Sequence, residues 1–410
     1  MRAVKAIYFF IFALGGSVVP FISLYFQQHG LKKDEIGYVQ GVAAIAVVLS
    51  PILLTFLADS RLDARRILAM AMLVASVALA ALYVGKGFVA TLLIWAIHML
   101  AYVPLSTLQD GITFGVMKRR EEKGLVVTPY HRVRVWGSIG FMLPSVILFF
   151  VVKKTVTPIL FVGGAFGILG AITALILPDP DGGEKKKESR LPTTEAARKM
   201  FTGPLLIFCI ASFLLNAAQA PYYTYYAIYL KERVGIGQEW VGLISNVGVL
   251  VEIFFMLGFA KLLSRWGLKK LMIVGAGCVA VRMALLGLWP TPAVAVGTQL
   301  FHGMIVLVLL IAPPVFLNQH AEDRYRHSMQ GLYAMAVMGS GRIVGNLIAG
   351  PISKRSLQGV YGSAAVLSVI AMGLLWVAFY EEEHRPKAAT VASAEAAPTV
   401  APGISPGGGD

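Results

Sequence analysis

Twelve apolar runs, each long enough to cross a bilayer, occupy most of this 410-residue chain. They fall near residues 6–26, 36–57, 67–85, 88–114, 133–152, 156–177, 204–229, 238–260, 271–289, 292–317, 328–350 and 360–379. A helix needs about 20 predominantly apolar residues to traverse the hydrocarbon core, so little of the chain is left over for a water-soluble core. Composition agrees: 14% of the residues are charged, against about a quarter in soluble domains. The first run, with Arg2 and Lys5 ahead of it, has the outline of a secretory signal. Its apolar character continues to Phe26 and eleven more runs follow, so it reads as a retained first span. Pro20, Pro51, Pro104, Pro144 and Pro221 lie inside runs, which membrane helices tolerate better than soluble ones. The expected fold is an all-α membrane protein with twelve transmembrane helices.

Charge placement orients those helices. With the N-terminus inside, the cytoplasmic segments hold 24 Lys and Arg residues and the outer loops 9, while Arg134, Arg282 and Arg342 lie within runs. This asymmetry places both termini in the cytoplasm, with the inner cell membrane as the expected location. It also accounts for the net charge of +14 as an orientation signal and a contact with anionic lipid, not a nucleic-acid surface. Cys209 and Cys278 both sit in apolar runs, so no disulfide framework or thiolate metal site is expected. The chain carries no phosphate-binding loop of the GKS/T type, no metal-ligand spacing and no Ser/His/Asp arrangement in its loops. The expectation is a protein with no cofactor, no metal and no enzymatic reaction.

The chain divides and repeats. Residues 178–203, rich in Pro, Gly and charge, read as a cytoplasmic linker between a six-span bundle over 1–177 and another over 204–382. The Ala/Pro/Gly-rich tail 383–410 is expected to be disordered. After the first span comes Gly30-Leu31-Lys32-Lys33-Asp34-Glu35-Ile36-Gly37, and after the seventh Gly235-Ile236-Gly237-Gln238-Glu239-Trp240-Val241-Gly242. Shifted by 205 residues, both read G-[LI]-x-x-[DE]-x-[IV]-G, and Arg65 falls on Lys270. Two parallel six-helix repeats imply pseudo-symmetric bundles with a binding site between them.

Of the 22 acidic residues, Asp110 and Glu252 alone lie well inside spans, where an ionisable group is costly unless paired or hydrated. Glu252, Arg282 and His302 come from the eighth, ninth and tenth spans, at about 14, 11 and 10 residues' depth. At about 1.5 Å per residue all three lie near the bilayer centre. An acid, a cation and an imidazole at one depth suit proton coupling, because the acid neutralises when its charged neighbour moves away. A static ion pair fixing helix packing is the alternative. Asp110 and Arg134, on the fourth and fifth spans, reach similar depth and either hold substrate or form a structural bridge. Asn216, Gln219 and Tyr223 share one helical face, where amides with an aromatic platform suit a sugar ring or nucleobase. Tyr222, Tyr225 and Tyr226 read as an interfacial aromatic belt. Gln299 adds to the polar second half, and Arg342 with Asn346, one turn apart, either bind an anionic group or pair with backbone carbonyls. His98 reads as a satisfied core histidine.

Over residues 1–382 the chain resembles the major facilitator superfamily. Leu57-Ala58-Asp59 with Arg65-Arg66 resembles that superfamily's signature loop, with Asp63 where a Gly is usual, and Arg265, Gly267, Lys269 and Lys270 form its duplicate. The resemblance assigns Asp59, Arg65, Arg66, Arg265, Lys269 and Lys270 to gating loops. A narrower resemblance is to the branch of phenylpropionate-type permeases, nucleoside–proton symporters and lactose-permease-like sugar symporters. It is carried by Pro104…Asp110, Arg132-Val133-Arg134-Val135-Trp136-Gly137-Ser138-Ile139-Gly140-Phe141, Glu252, Arg282, Gln299-Leu300-Phe301-His302-Gly303 and Gln330-Gly331-Leu332-Tyr333. It implies proton coupling by Glu252, Arg282 and His302, with Asp110, Arg134 and Phe141 on the substrate. The sugar symporters' second acid, one turn after the His, is Ile305 here, which leaves Glu252 to carry the proton. The implied function is uptake of a small polar solute, such as an oligosaccharide or nucleoside, with protons by alternating access in a monomer. An exporter of amphipathic compounds, or a non-transporting receptor retaining the fold, are the rival readings.

Overall fold

The computed structural model describes residues 1–59, 63–178, 194–320 and 326–379. Among these, all regular structure is helical. Six spans make the first half: α1 (Arg2–Gln28), α2 (Lys33–Leu54), α3 (Ala64–Val84), α4 (Gly87–Glu122), α5 (Tyr130–Val151) and α6 (Pro158–Leu175). The second half begins with α7 (Gly203–Val234). A continuous 49-residue stretch, Trp240–Leu288, follows and is broken at Gly267, whose φ is +69°. The break separates α8 (240–266) from α9 (268–288), and α10 (Pro292–Asn318), α11 (Ser328–Arg355) and α12 (Leu357–Ala378) complete twelve spans. An even number of crossings brings α1 and α12 back to one side, here the terminal face; the opposite side is the far face. Most of the stretch read as a linker lies outside the described residues, although a short helix, Thr194–Met200, precedes α7. The tail beyond Phe379 also lies outside them.

The halves repeat each other's packing. In the first, α1 lies against α5 and α6, and α3 against α6 and α4; in the second, α7 lies against α11 and α12. The halves meet along α2–α11 and α5–α8, two contacts that the six-helix repeat interchanges.

The repeated glycine motif has a physical reading at both ends. Its first glycine, Gly30 or Gly235, ends α1 or α7 with φ of +92° or +78°, a backbone conformation that favours glycine. Its second lies where the halves touch. A Cβ at Gly37 would sit 2.5 Å from the Tyr225 hydroxyl and 2.8 Å from Gly350 Cα. One at Gly242 would sit 2.6 Å from Ser145 Oγ and 2.8 Å from the Phe21 ring. Each half therefore uses its copy of the motif to approach the other.

Polar contacts reinforce that approach at the far face. Glu232 pairs with Lys33 (2.6 Å) and accepts from Gln27 (2.6 Å). Asp34 pairs with Lys354 (2.8 Å), and the Tyr225 hydroxyl donates to the Lys33 carbonyl (2.9 Å). Gln238 bonds both Gln28 (2.7 Å) and the Lys153 carbonyl (3.1 Å). At mid-depth a cavity lies between the halves, walled by α1, α2, α4, α7 and α11. Helical regularity lapses beside it, at 19–21 in α1, at Ala44 in α2 and at 103–104 in α4. Irregular backbone at membrane depth is tolerated where protein buries it or where it lines a cavity.

Candidate functional site

Three consecutive spans of the second half do bring Glu252, Arg282 and His302 together. Arg282 is completely buried, and its guanidinium works as a hub. Nη2 donates to Gln299 Oε1 (2.9 Å), Nη1 approaches His302 Nδ1 (3.2 Å), and the plane lies 3.7 Å from the Tyr222 ring centroid, a cation–π contact. Gln299 Nε2 in turn donates to the Tyr222 and Tyr226 hydroxyls at 2.9 and 2.8 Å. The backbone aids this, because α10 passes through a 3₁₀ turn, Thr298–Phe301, directly before His302.

The arrangement dictates a tautomer. Guanidinium nitrogens only donate, so His302 Nδ1 must be the acceptor and the imidazole proton sits on Nε2. That nitrogen points at Glu252 Oε2 from 3.7 Å, beyond hydrogen-bond reach. Glu252 Oε2, His302 Nε2, Arg282 Nε and both polar atoms of Gln219 are buried without a hydrogen-bond partner. Buried polar groups are nearly always satisfied, so the orphaned atoms of Glu252, His302 and Arg282 make this cluster the candidate site.

The first half is organised differently. Asp110 accepts hydrogen bonds from the Tyr8 and Tyr130 hydroxyls, the latter at 2.9 Å. Arg134 makes no ion pair with it; its guanidinium lies 4.1 Å from the Phe12 ring centroid and its Nη1 is unpartnered. The acid and the cation are therefore not joined directly; both meet Tyr8 of α1. Phe141 is buried, and its backbone packs where Gly16 of α1 has no side chain.

Other expected residues separate. Gln219 lies beside Tyr223, whose ring stands edge-on to His302 with centroids 6.5 Å apart. Asn216 instead bonds the Ser212 carbonyl (2.9 Å) on its own helix. Arg342, Asn346 and Tyr223 line the interhalf cavity, and Asn346 Oδ1 accepts from Thr224 (2.8 Å). His98 is a satisfied core residue, bonded to the Ala75 carbonyl (2.9 Å) and stacked on Trp95. One expectation is overturned. Tyr222, Tyr225 and Tyr226 form no interfacial belt; they are buried, at 4%, 0% and 4% exposure, because Tyr222 and Tyr226 bond Gln299 and Tyr225 bonds the Lys33 carbonyl where the halves meet. Sequence reading also missed Gln40, Trp95, Tyr102, Tyr8 and Tyr130. Each looks like ordinary apolar-helix filling until its neighbour from a distant span is known.

At the terminal face, Asp63 caps α3 by accepting from Arg65 N (2.9 Å) and Arg65 Nε. Arg65 also donates to the Leu177 carbonyl (2.9 Å), tying α3 to the end of α6. The Arg65 side chain holds the Asp63 carboxyl below its ordinary range. The Asp59 side chain lies outside the described residues. Arg66, Arg265 and Lys270 are exposed on this face and Lys269 is partly so.

A family model described as the MFS_1 like family matches residues 1–361. YegT of Escherichia coli (strain K12), whose assignment as a nucleoside transporter is itself provisional, is 25% identical over 91% of this chain and 92% of its own. Nucleoside permease NupG of the same organism is 25% identical over 86% of this chain and 88% of its own. The crystal structure of nucleoside transporter NupG superposes with a TM-score of 0.82 at 23% identity, covering 93% of this chain and 99% of that one.

Proposed function

The chain belongs to the MFS_1 like family of membrane transporters, and from that premise we propose that it takes up a nucleoside together with protons. Transport is the reading on which the twelve-helix fold and the relatives converge, so the protein is a transporter and not an enzyme. The nucleoside follows from two relatives concerned with nucleosides and from the side chains at the centre. Glu252 and Gln219 offer acceptors and donors to ribose hydroxyls, and Tyr223 gives a flat aromatic face beside them. The terminal face is cytoplasmic, on the 24-to-9 basic asymmetry of the loops, and a monomer in the inner membrane suffices.

The observation that carries proton coupling is the unpartnered Glu252 oxygen facing His302 Nε2. Arg282 occupies His302 Nδ1, which prevents the imidazole from gaining a second proton while that contact lasts, so the exchangeable proton falls to Glu252. In alternating access the far-face pairs Lys33–Glu232 and Asp34–Lys354 must part to admit solute from outside. The test is uptake of labelled uridine into proteoliposomes under an imposed pH gradient. Accumulation that collapses with a protonophore supports the proposal. Downhill equilibration unaffected by the gradient rejects proton coupling, and efflux-only transport would favour the exporter.

A further inference from the structure

The interhalf cavity holds two carboxamides whose oxygens are already used. Gln40 Oε1 accepts from the Trp95 indole Nε1 (3.0 Å). An indole nitrogen can only donate, so the amide must turn its oxygen to Trp95 and its NH₂ away. That NH₂ keeps only a long bond to Ser23 Oγ (3.4 Å). Asn346, which lines the same cavity, accepts from Thr224 at Oδ1 and so has its NH₂ left to donate. Arg342 lines the same space and has donors alone. The rest of the lining is apolar but for the Trp95 indole and the hydroxyl-bearing Tyr102, Tyr223 and Thr224. Trp95 cannot easily rotate out of this arrangement. It stacks on His98 at 4.7 Å between centroids and 12° between planes, and His98 stacks on Tyr102.

From this donor-lined wall, we infer that the cavity between α2, α4, α7 and α11 reads the base of a nucleoside by its exocyclic oxygen. It selects 4-oxo pyrimidines and 6-oxo purines over their amino counterparts. The inference rests on the nucleoside reading above. Tyr223 provides the continuity, because it lines the cavity and also stands against His302, so a base in the cavity leaves the ribose directed at Gln219 and Glu252. A keto oxygen accepts from Gln40 Nε2; an amino group in the same place sets donor against donor. Trp95 acts as a positioning residue, since it fixes which end of the Gln40 amide faces the base.

The experiment measures binding of uridine, cytidine, inosine and adenosine to purified protein by calorimetry. Uridine and inosine should bind about tenfold or more tightly than cytidine and adenosine, the factor expected when one hydrogen bond becomes an opposed pair of donors. Trp95→Phe frees the Gln40 amide to turn over, and the uridine-to-cytidine ratio should fall toward one, chiefly through tighter cytidine binding. Gln40→Leu should bring the ratio down through weaker uridine binding instead. Equal binding of all four by the wild type overturns the inference and leaves the nucleoside reading standing. Binding of none overturns both. A wild-type ratio that survives both substitutions shows that another group reads the base.

Discussion

The two halves each bury a carboxylate to 6% exposure and treat it in opposite ways. In the first, Asp110 is held by two tyrosine hydroxyls from α1 and α5, and its nearest cation, Arg134, rests on an aromatic ring. In the second, Glu252 keeps an oxygen with no partner, beside an imidazole at 3.7 Å and a guanidinium already committed to Gln299 and His302. Hydroxyl donors on a carboxylate oxygen favour its charged form, and Asp110 Oδ1 has two of them where Glu252 Oε2 has none. A carboxylate oxygen left without donors in a buried site can be neutralised by a proton at low cost. Burial alone therefore does not mark a coupling acid; incomplete engagement does.

That contrast predicts unequal consequences of mutation. The largest belongs to Arg282→Ala, which removes the donor from Gln299, the cation from the Tyr222 ring and the volume of a fully buried side chain. An orphaned acceptor and a cavity together cost about 2–4 kcal/mol. Thermal unfolding in detergent should show a clear drop in Tm, with uptake abolished. Arg282→Lys presents one ammonium where two arms of a planar fork are used and should recover less than half of the loss. A fully stable Lys variant would mean that the fork is not what orders this cluster.

A smaller effect is expected in the first half. Asp110→Asn weakens two hydrogen bonds to a charged acceptor, worth about 1–3 kcal/mol, and should lower Tm while leaving pH-driven accumulation in place. If this variant instead exchanges solute but fails to accumulate it, coupling lies with Asp110 and the contrast between the halves is misassigned.

The smallest effect concerns Asp63→Ala, which removes a helix cap worth about 1 kcal/mol. Because Arg65 depresses the Asp63 pKa in the folded protein, its contribution is complete above the ordinary carboxylate range. It is lost as pH falls through the depressed value. The Tm gap between wild type and variant should be widest near neutral pH and close in strong acid. A gap constant down to strong acid would show that the cap acts without its charge.

Much of this was legible in the sequence. The positions of the twelve spans, the 205-residue repeat and the meeting of Glu252, Arg282 and His302 all follow from hydropathy, spacing and depth along straight helices. What was not legible depends on how each helix is rotated. Tyr222 and Tyr226 lie near one end of an apolar run, which suggests a belt, yet their hydroxyls turn inward to Gln299 on a span more than 70 residues away. Gln40 and Trp95 are 55 residues apart, and neither announces a cavity on its own. The Asp110 partners were hidden for the same reason, since Tyr8 lies 102 residues from it. Asp63, by contrast, departs from the superfamily pattern in sequence, and its place before Arg65 explains the departure as a cap.

The central claim is that Glu252 carries the proton, and Glu252→Gln tests it most directly, because the amide mimics the protonated acid without changing its size. In proteoliposomes the variant should bind uridine and exchange it across the membrane, yet fail to accumulate it when a pH gradient is the only energy source. Uphill accumulation equal to the wild type under that gradient would contradict the claim and pass the role to His302 or Asp110.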